Sequence, residues 1–207
     1  MANLVYQKLE MAILTGNLKP RERLIEKELA SQFRVSRFSI RKTIQELARR
    51  GLAEMVPNKG ARVIDTSDKE VEDSFLVRMN LELLAADLIV KRMTPQKLTK
   101  IKKIQTDYVK AVSIRDFEKM IFKNEEFHRS LYQATENKFL CESLENVTNA
   151  IFSRRYNAYF VLGVAPKTVK DHEAMIKAIE KKDVKKLKRL LQDSIINPNM
   201  IMKSRER

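Results

Sequence analysis

The chain has 207 residues, 43% of them hydrophobic, and a formal net charge of +14. That is enough apolar material for one large domain or two small ones, and no apolar run approaches the roughly 18 residues of a membrane span. The single cysteine, Cys141, excludes an internal disulfide and fits a reducing cytoplasm, and the N-terminus lacks a signal-peptide layout. A positive excess favours polyanions, nucleic acid first. It is spread along the chain, however: residues 1–70 hold 14 Lys and Arg against 9 Asp and Glu, and the remainder 27 against 18. Charge alone therefore locates no site. With only four glycines and five prolines, the chain disfavours a turn-rich β fold.

Val5, Leu9, Ala12 and Ile13 recur at helical spacing and predict an amphipathic helix ending near Gly16 and Asn17. Leu24, Ile25, Leu29, Ala30 and Phe33 continue as a second, short helix. Ser36 is a good N-cap for a third, which buries Ile40, Ile44 and Leu47 and stops at Gly51. Residues 52–65, with Pro57-Asn58-Lys59-Gly60 at their centre, read as two short strands around a turn. Three helices plus a small β-hairpin make a winged helix-turn-helix, assigned to residues 1–66.

Asp65 to Asp68 reads as a linker ending in a helix cap. Residues 67–207 then show only helical patterns, so the fold class is mainly α, with an all-α helical bundle after the winged domain. Leu76, Met79, Leu83 and Ala86 define the inward stripe of a helix running to about Arg92. Thr94-Pro95 opens the next, carrying Leu98, Ile101, Ile104 and Tyr108. Further helices are predicted over 115–134, 137–160, 166–181 and 183–196, with Pro198 ending the last.

In a helix-turn-helix, the N-terminal residues of the second helix reach base edges in the major groove. Arg37, Ser39 and Arg41 lie near the start of the third helix, off its apolar stripe. Arginine can take both acceptors of a guanine, and Ser36 with the helix N-terminus suits a phosphate. Lys27, Lys59 and Arg62 would add backbone or minor-groove contacts.

Two further clusters point inward. Asn124 and His128 fall inside the stripe formed by Phe117, Met120, Ile121, Phe127 and Leu131, and His172 falls inside that of Val169, Ile176 and Ile179. Buried polar groups need partners, so a polar cavity or a metal is expected there. Arg155 falls in register with Leu144, Thr148 and Ile151 and so points inward, Arg78 borders the stripe of its own helix, and two arginines near two histidines suit a small carboxylate or phosphate.

The run from Gly16 through Leu24, Glu28-Leu29-Ala30, Val35-Ser36-Arg37, Ile40-Arg41, Leu47, Gly51-Leu52, Gly60 and Val63 resembles the DNA-binding domain of the GntR family of bacterial transcription regulators. The resemblance implies DNA contacts at Lys27, Ser36, Arg37, Ser39 and Arg41, with Gly60 letting the wing backbone approach DNA. Arg21 departs from the family's usual glycine, and Phe38 from a small residue or proline. Arg78, Glu82, Asn124, Phe127-His128, Leu131, Asn137, His172, Ile176, Ala178-Ile179 and Asp183 resemble the FCD effector domain of the FadR-like branch. Many such domains bind a divalent metal through an aspartate and three histidines. By that resemblance Asn124, His128 and His172 are candidate metal ligands, with Ser194 where the third histidine would stand. Two imidazoles, an amide and a hydroxyl bring no charge to offset a dication. Either a metal (Zn, Ni or Mn) completed by an anionic effector, or a metal-free cavity, is consistent with these residues.

The expectation is a cytoplasmic, ligand-responsive repressor, not an enzyme, that binds palindromic double-stranded operator DNA as a homodimer. A small anionic metabolite would be held by Arg78, Asn124, His128, Arg155, His172 and Ser194. The alternatives are a metal-dependent hydrolase using His128 and His172, or a non-specific basic nucleic-acid binder.

Overall fold

A computed structural model of the chain describes residues 2–14, 16–57, 59–150 and 164–203. They divide into two compact units, the first gathering residues 2–74 with 146–150 and the second residues 75–145 and 164–203.

The first unit opens with α1 (Ala2–Leu14), which buries Val5, Leu9 and Ile13 at the expected spacing of four. A two-residue strand, β1 (Arg23–Leu24), precedes α2 (Glu26–Phe33) and α3 (Arg37–Arg49). The Ser36 side chain accepts the backbone N–H of Ser39 and so caps α3, whose buried residues are Ile40, Thr43, Ile44 and Leu47. Gly51 (φ 71°) stops it: its N–H donates to the carbonyl of Ala48, and that of Leu52 to Leu47, the paired bonds of a Schellman stop. The wing follows as β2 (Ala53–Val56) and β3 (Gly60–Val63), antiparallel, with Met55 opposite Ala61. The sheet has three strands rather than the expected two, because Arg23 and Leu24 pair antiparallel with Arg62 and Ala61. Two residues are too few to show a period of two, so β1 leaves no pattern in the sequence.

The described part of the second unit is helical throughout. Helix α4 (Asp68–Arg92) is followed by α5 (Pro95–Ser113), α6 (Phe117–Gln133), α7 (Lys138–Ala150), α8 (Val164–Glu180) and α9 (Val184–Lys203). Thr94 caps α5 through the N–H of Lys97, and Asp116 caps α6 through that of Lys119. One core gathers Ala86 and Ile89 from α4, Ile101 from α5, Phe127 and Leu131 from α6, Leu144 from α7, Met175 from α8, and Leu187 and Leu191 from α9.

Two expectations are corrected here. Helix α9 runs through Pro198 to Lys203; a proline removes one hydrogen bond and crowds one carbonyl, which interrupts a helix without always ending it. The inward face of α4 is turned from the one expected: Ala86 is buried and Met79 and Leu83 are half-buried, as expected, but Leu76 is not. Leu76 is 60% exposed, while Arg78 and Glu82 are buried with Ala85, Ala86 and Ile89. Apolar residues lie on both sides of this helix, so its periodicity alone does not say which side faces the core. No helix among the described residues is long and apolar enough to cross a membrane.

Candidate functional site

In the first unit, the start of α3, the start of α2 and the wing border a groove of about 370 Å³. Arg23, Lys27, Arg37, Arg41 and Lys59 line it, with Glu26 and Gly60. Five cations thus face one carboxylate. Glu26 grips Arg41 with both oxygens: Nε donates to Oε1 at 2.8 Å and Nη2 to Oε2 at 2.9 Å. Arg37 Nη2 stands 3.8 Å from the same carboxylate. The hydrogen bond from Arg41 holds the Glu26 carboxyl below its usual range. The planar guanidinium of Arg41 is thereby oriented, while its side chain stays 56% exposed and that of Arg37 66%. Ser39 Oγ and Ser36 Oγ share a 2.9 Å hydrogen bond beside the helix N-terminus. Lys27 and Lys59 are exposed. Gly60 has φ of 84°, and a Cβ there would meet nothing within 4 Å, so it supplies the backbone conformation of the wing tip rather than space. Arg62, the remaining wing cation, pairs with Glu54 across the hairpin. Sequence reasoning missed Glu26, whose link to Arg41 spans 15 residues and leaves no local signal.

The second unit holds its polar residues inside. Arg78 is 2% exposed and Glu82 fully buried. Arg78 Nε donates to Glu82 Oε1 at 2.7 Å, and the Tyr132 hydroxyl donates to the same oxygen at 2.6 Å. Burial works against the charge on Arg78, but the Glu82 carboxylate outweighs it, so the guanidinium stays protonated. The same burial, with Glu82 next to it, pushes the Tyr132 phenol up and keeps it a donor.

A second polar group lies across α5, α6 and α8. The Gln105 amide donates to the carbonyl of Val169 at 3.2 Å, which leaves its oxygen to face His172 Nδ1 at 2.8 Å. That oxygen can only accept, so His172 carries its proton on Nδ1 and presents the Nε2 lone pair. Burial lowers the His172 pKa to about 3, so the ring is neutral near pH 7. It stacks on Phe127 at 3.7 Å and meets the His128 ring at 5.3 Å between centroids. His128 and Asn124 are both buried, one turn apart on α6. Gln105 had a sequence signal that went unused: it is a polar residue between Ile101 and Tyr108 on the buried face of α5. The buried polar atoms without a hydrogen-bond partner among the described residues include Arg78 Nη1, Glu82 Oε2, Asn124 Nδ2 and His172 Nε2.

The structure thus brings Asn124, His128 and His172 into one interior and buries Arg78 against Glu82, which cancels its charge. Ser194 is half-buried, and its hydroxyl donates to the carbonyl of Leu191 at 2.7 Å. Arg155 lies outside the described residues. A divalent metal fits this donor set poorly. No group of three or more His, Cys, Asp or Glu able to hold a metal exists among the described residues, and the Ser194 hydroxyl is already engaged. Two imidazole ligands and an amide bring no negative charge to compensate a dication.

Comparison with known proteins gives matches over both units. The profile described as bacterial regulatory proteins, gntR family, matches residues 1–63, and that of the FCD domain matches residues 73–197. A relative from Bacillus subtilis, the uncharacterized HTH-type transcriptional regulator YdhC, is 29% identical over 180 residues, covering 86% of this chain and 80% of its own length. The Escherichia coli HTH-type transcriptional repressor RspR is 22% identical over 179 residues, covering 86% of this chain and 78% of its own. Among solved structures, Escherichia coli McbR/YncC has the same fold, with a TM-score of 0.83 at 22% identity, covering 100% of this chain and 98% of that one.

Proposed function

The chain belongs to the GntR family of bacterial regulatory proteins and carries an FCD domain, and on that premise we propose that it is a transcriptional repressor whose affinity for a palindromic operator is set by a small polar effector. The observation that carries this reading is the groove where Arg37, Arg41, Lys27 and Lys59 converge beside the capped start of α3. Arg37 and Arg41 read guanine edges, the Ser36–Ser39 end of the helix holds a phosphate oxygen, and Lys27, Lys59 and the Gly60 backbone follow the sugar–phosphate chain.

The protein acts as a homodimer, because one such helix reads only a few base pairs and two-fold pairing doubles the site. Helix α4 supports this: Leu76, Val77 and Leu84 are exposed on the side opposite its buried Arg78–Glu82 pair. The sign of regulation follows the name of the relative RspR, a repressor.

The effector occupies the polar interior of the second unit without a metal. Arg78 Nη1 and Asn124 Nδ2 offer donors to a carboxylate or phosphate, whereas Glu82 Oε2 and His172 Nε2 need donors from it. A small acid that also bears a hydroxyl or amino group satisfies both sets. Arg155 and Ser194 are further candidates for its shell. Neither His128 nor His172 is assigned a catalytic role.

In vitro selection from a random duplex library with the full chain tests the DNA reading. An enriched inverted repeat, bound by two protomers in sedimentation, is expected. Enrichment of no sequence, or one protomer per site, would overturn it.

A further inference from the structure

Phe38 is the second residue of α3, and its side chain is 64% exposed, more than that of any other large apolar residue described in the first unit. It lies on the face opposite Ile40, Ile44 and Leu47. Lys42, one turn further on, sets its ammonium 4.7 Å from the ring centre, and Gln45 is exposed another turn along. No core contact requires a phenylalanine here. Leaving an aromatic ring in water forgoes its burial energy, and a cation over an exposed ring recovers little of it. The groove cations Arg37 and Arg41 flank this face, drawn toward Glu26. The outermost ridge of α3 is therefore an apolar ring set among cations.

A surface of that kind fits one feature of the DNA major groove. Base edges present mainly hydrogen-bonding groups there, and the C5-methyl of thymine is the one apolar group that projects from them in unmodified DNA. The geometry points to Phe38 as a specificity-determining residue that packs on the methyl of one thymine in each half-site, with Lys42 leaving the ring for a neighbouring phosphate. The cations around the ring favour DNA over an apolar protein partner. The inference rests on the reading of α3 as the recognition helix.

The test starts from the duplex selected by the full chain. Each thymine is replaced in turn by deoxyuridine, which lacks only the methyl, and affinity is read by fluorescence anisotropy. Removal of that methyl from one half-site should weaken wild type about fourfold, the worth of one buried methyl group, and removal from both about fifteenfold. Phe38→Ala should bind the thymine and uracil duplexes equally, and Phe38→Leu should keep the preference. Replacing the thymine by cytosine should weaken wild type, and 5-methylcytosine should restore part of the loss. A wild type indifferent to every thymine-to-uracil change would overturn the assignment, as would a Phe38→Ala variant that keeps the preference. If Phe38→Ala fails to fold, the uracil series on wild type and Phe38→Leu decides alone. Failure to select any sequence would instead overturn the recognition-helix reading, so the two failures are distinct.

Discussion

The two units of this chain handle polar residues in opposite ways. In the first, Arg37, Arg41, Lys27 and Lys59 stand on the outside around an apolar core of Ile40, Ile44 and Leu47. In the second, Arg78, Glu82, Asn124, His128 and His172 are buried, while Leu76, Val77 and Leu84 of α4 face outward. An exposed cation is cheap to keep and ready for a polyanion. A buried polar atom without a partner costs free energy, which a matching ligand would return. Under the proposed function, the first unit meets a large partner at its surface and the second encloses a small one. Substitutions should separate the two: polar changes in the second unit act on stability, and those in the first act on DNA affinity.

The largest effect is expected at the buried pair. Arg78→Ala leaves the Glu82 carboxylate buried without its cation, which should cost roughly 3–5 kcal/mol of stability by denaturant melt, whereas an apolar double replacement of Arg78 and Glu82 should come close to neutral. A loss below about 1 kcal/mol for the single variant, typical of exposed pairs, would contradict the burial. Arg37→Ala should instead leave stability unchanged, cost roughly 1–3 kcal/mol in operator binding and relax base preference; unaltered affinity would remove Arg37 from the contact.

His172 gives a pH test. Its folded pKa of about 3 lies below the ordinary 6.5. The unfolded chain therefore takes up the proton first, and stability is full above pH 6.5 and declines as pH falls toward 3. By pH 5 the loss should reach about 2 kcal/mol. His172→Gln should flatten that part of the profile, and a parallel profile would assign the titration elsewhere. Smallest of all, Lys59→Ala should weaken every duplex alike and lower the slope of log affinity against log salt by about 1.8, about 0.9 for each protomer of the dimer. A loss confined to one base position would show that Lys59 reads bases.

Much of the first unit was legible because its signals are local. Ser36 caps α3, Gly51 takes the left-handed stop, and Ile40, Ile44 and Leu47 share a face. The second unit was less so. Several of its helix ends fall at Arg115, Glu136 and Lys182, charged residues with φ between 50° and 55° that give no glycine signal. The stripe expected for α4 holds at Ala86 but is turned away from Leu76 toward Arg78 and Glu82, because burial there is decided by the helices packed against it. His128 and His172 were legible as inward residues, since each interrupts an apolar face. The partners that set their chemistry were not: Gln105 lies 67 residues from His172, and Tyr132 lies 50 from Glu82.

If the polar interior governs the basic surface, the coupling must appear as a change in operator affinity. The direct measurement is the operator dissociation constant of the full chain, with and without saturating amounts of whichever small hydroxy- or amino-carboxylate, or phosphate, most raises its melting temperature. A shift of at least about fivefold, the lower end of usual allosteric couplings, is expected, and it should disappear in His172→Gln. A compound that stabilises wild type through this interior yet leaves the operator dissociation constant unchanged would contradict that coupling.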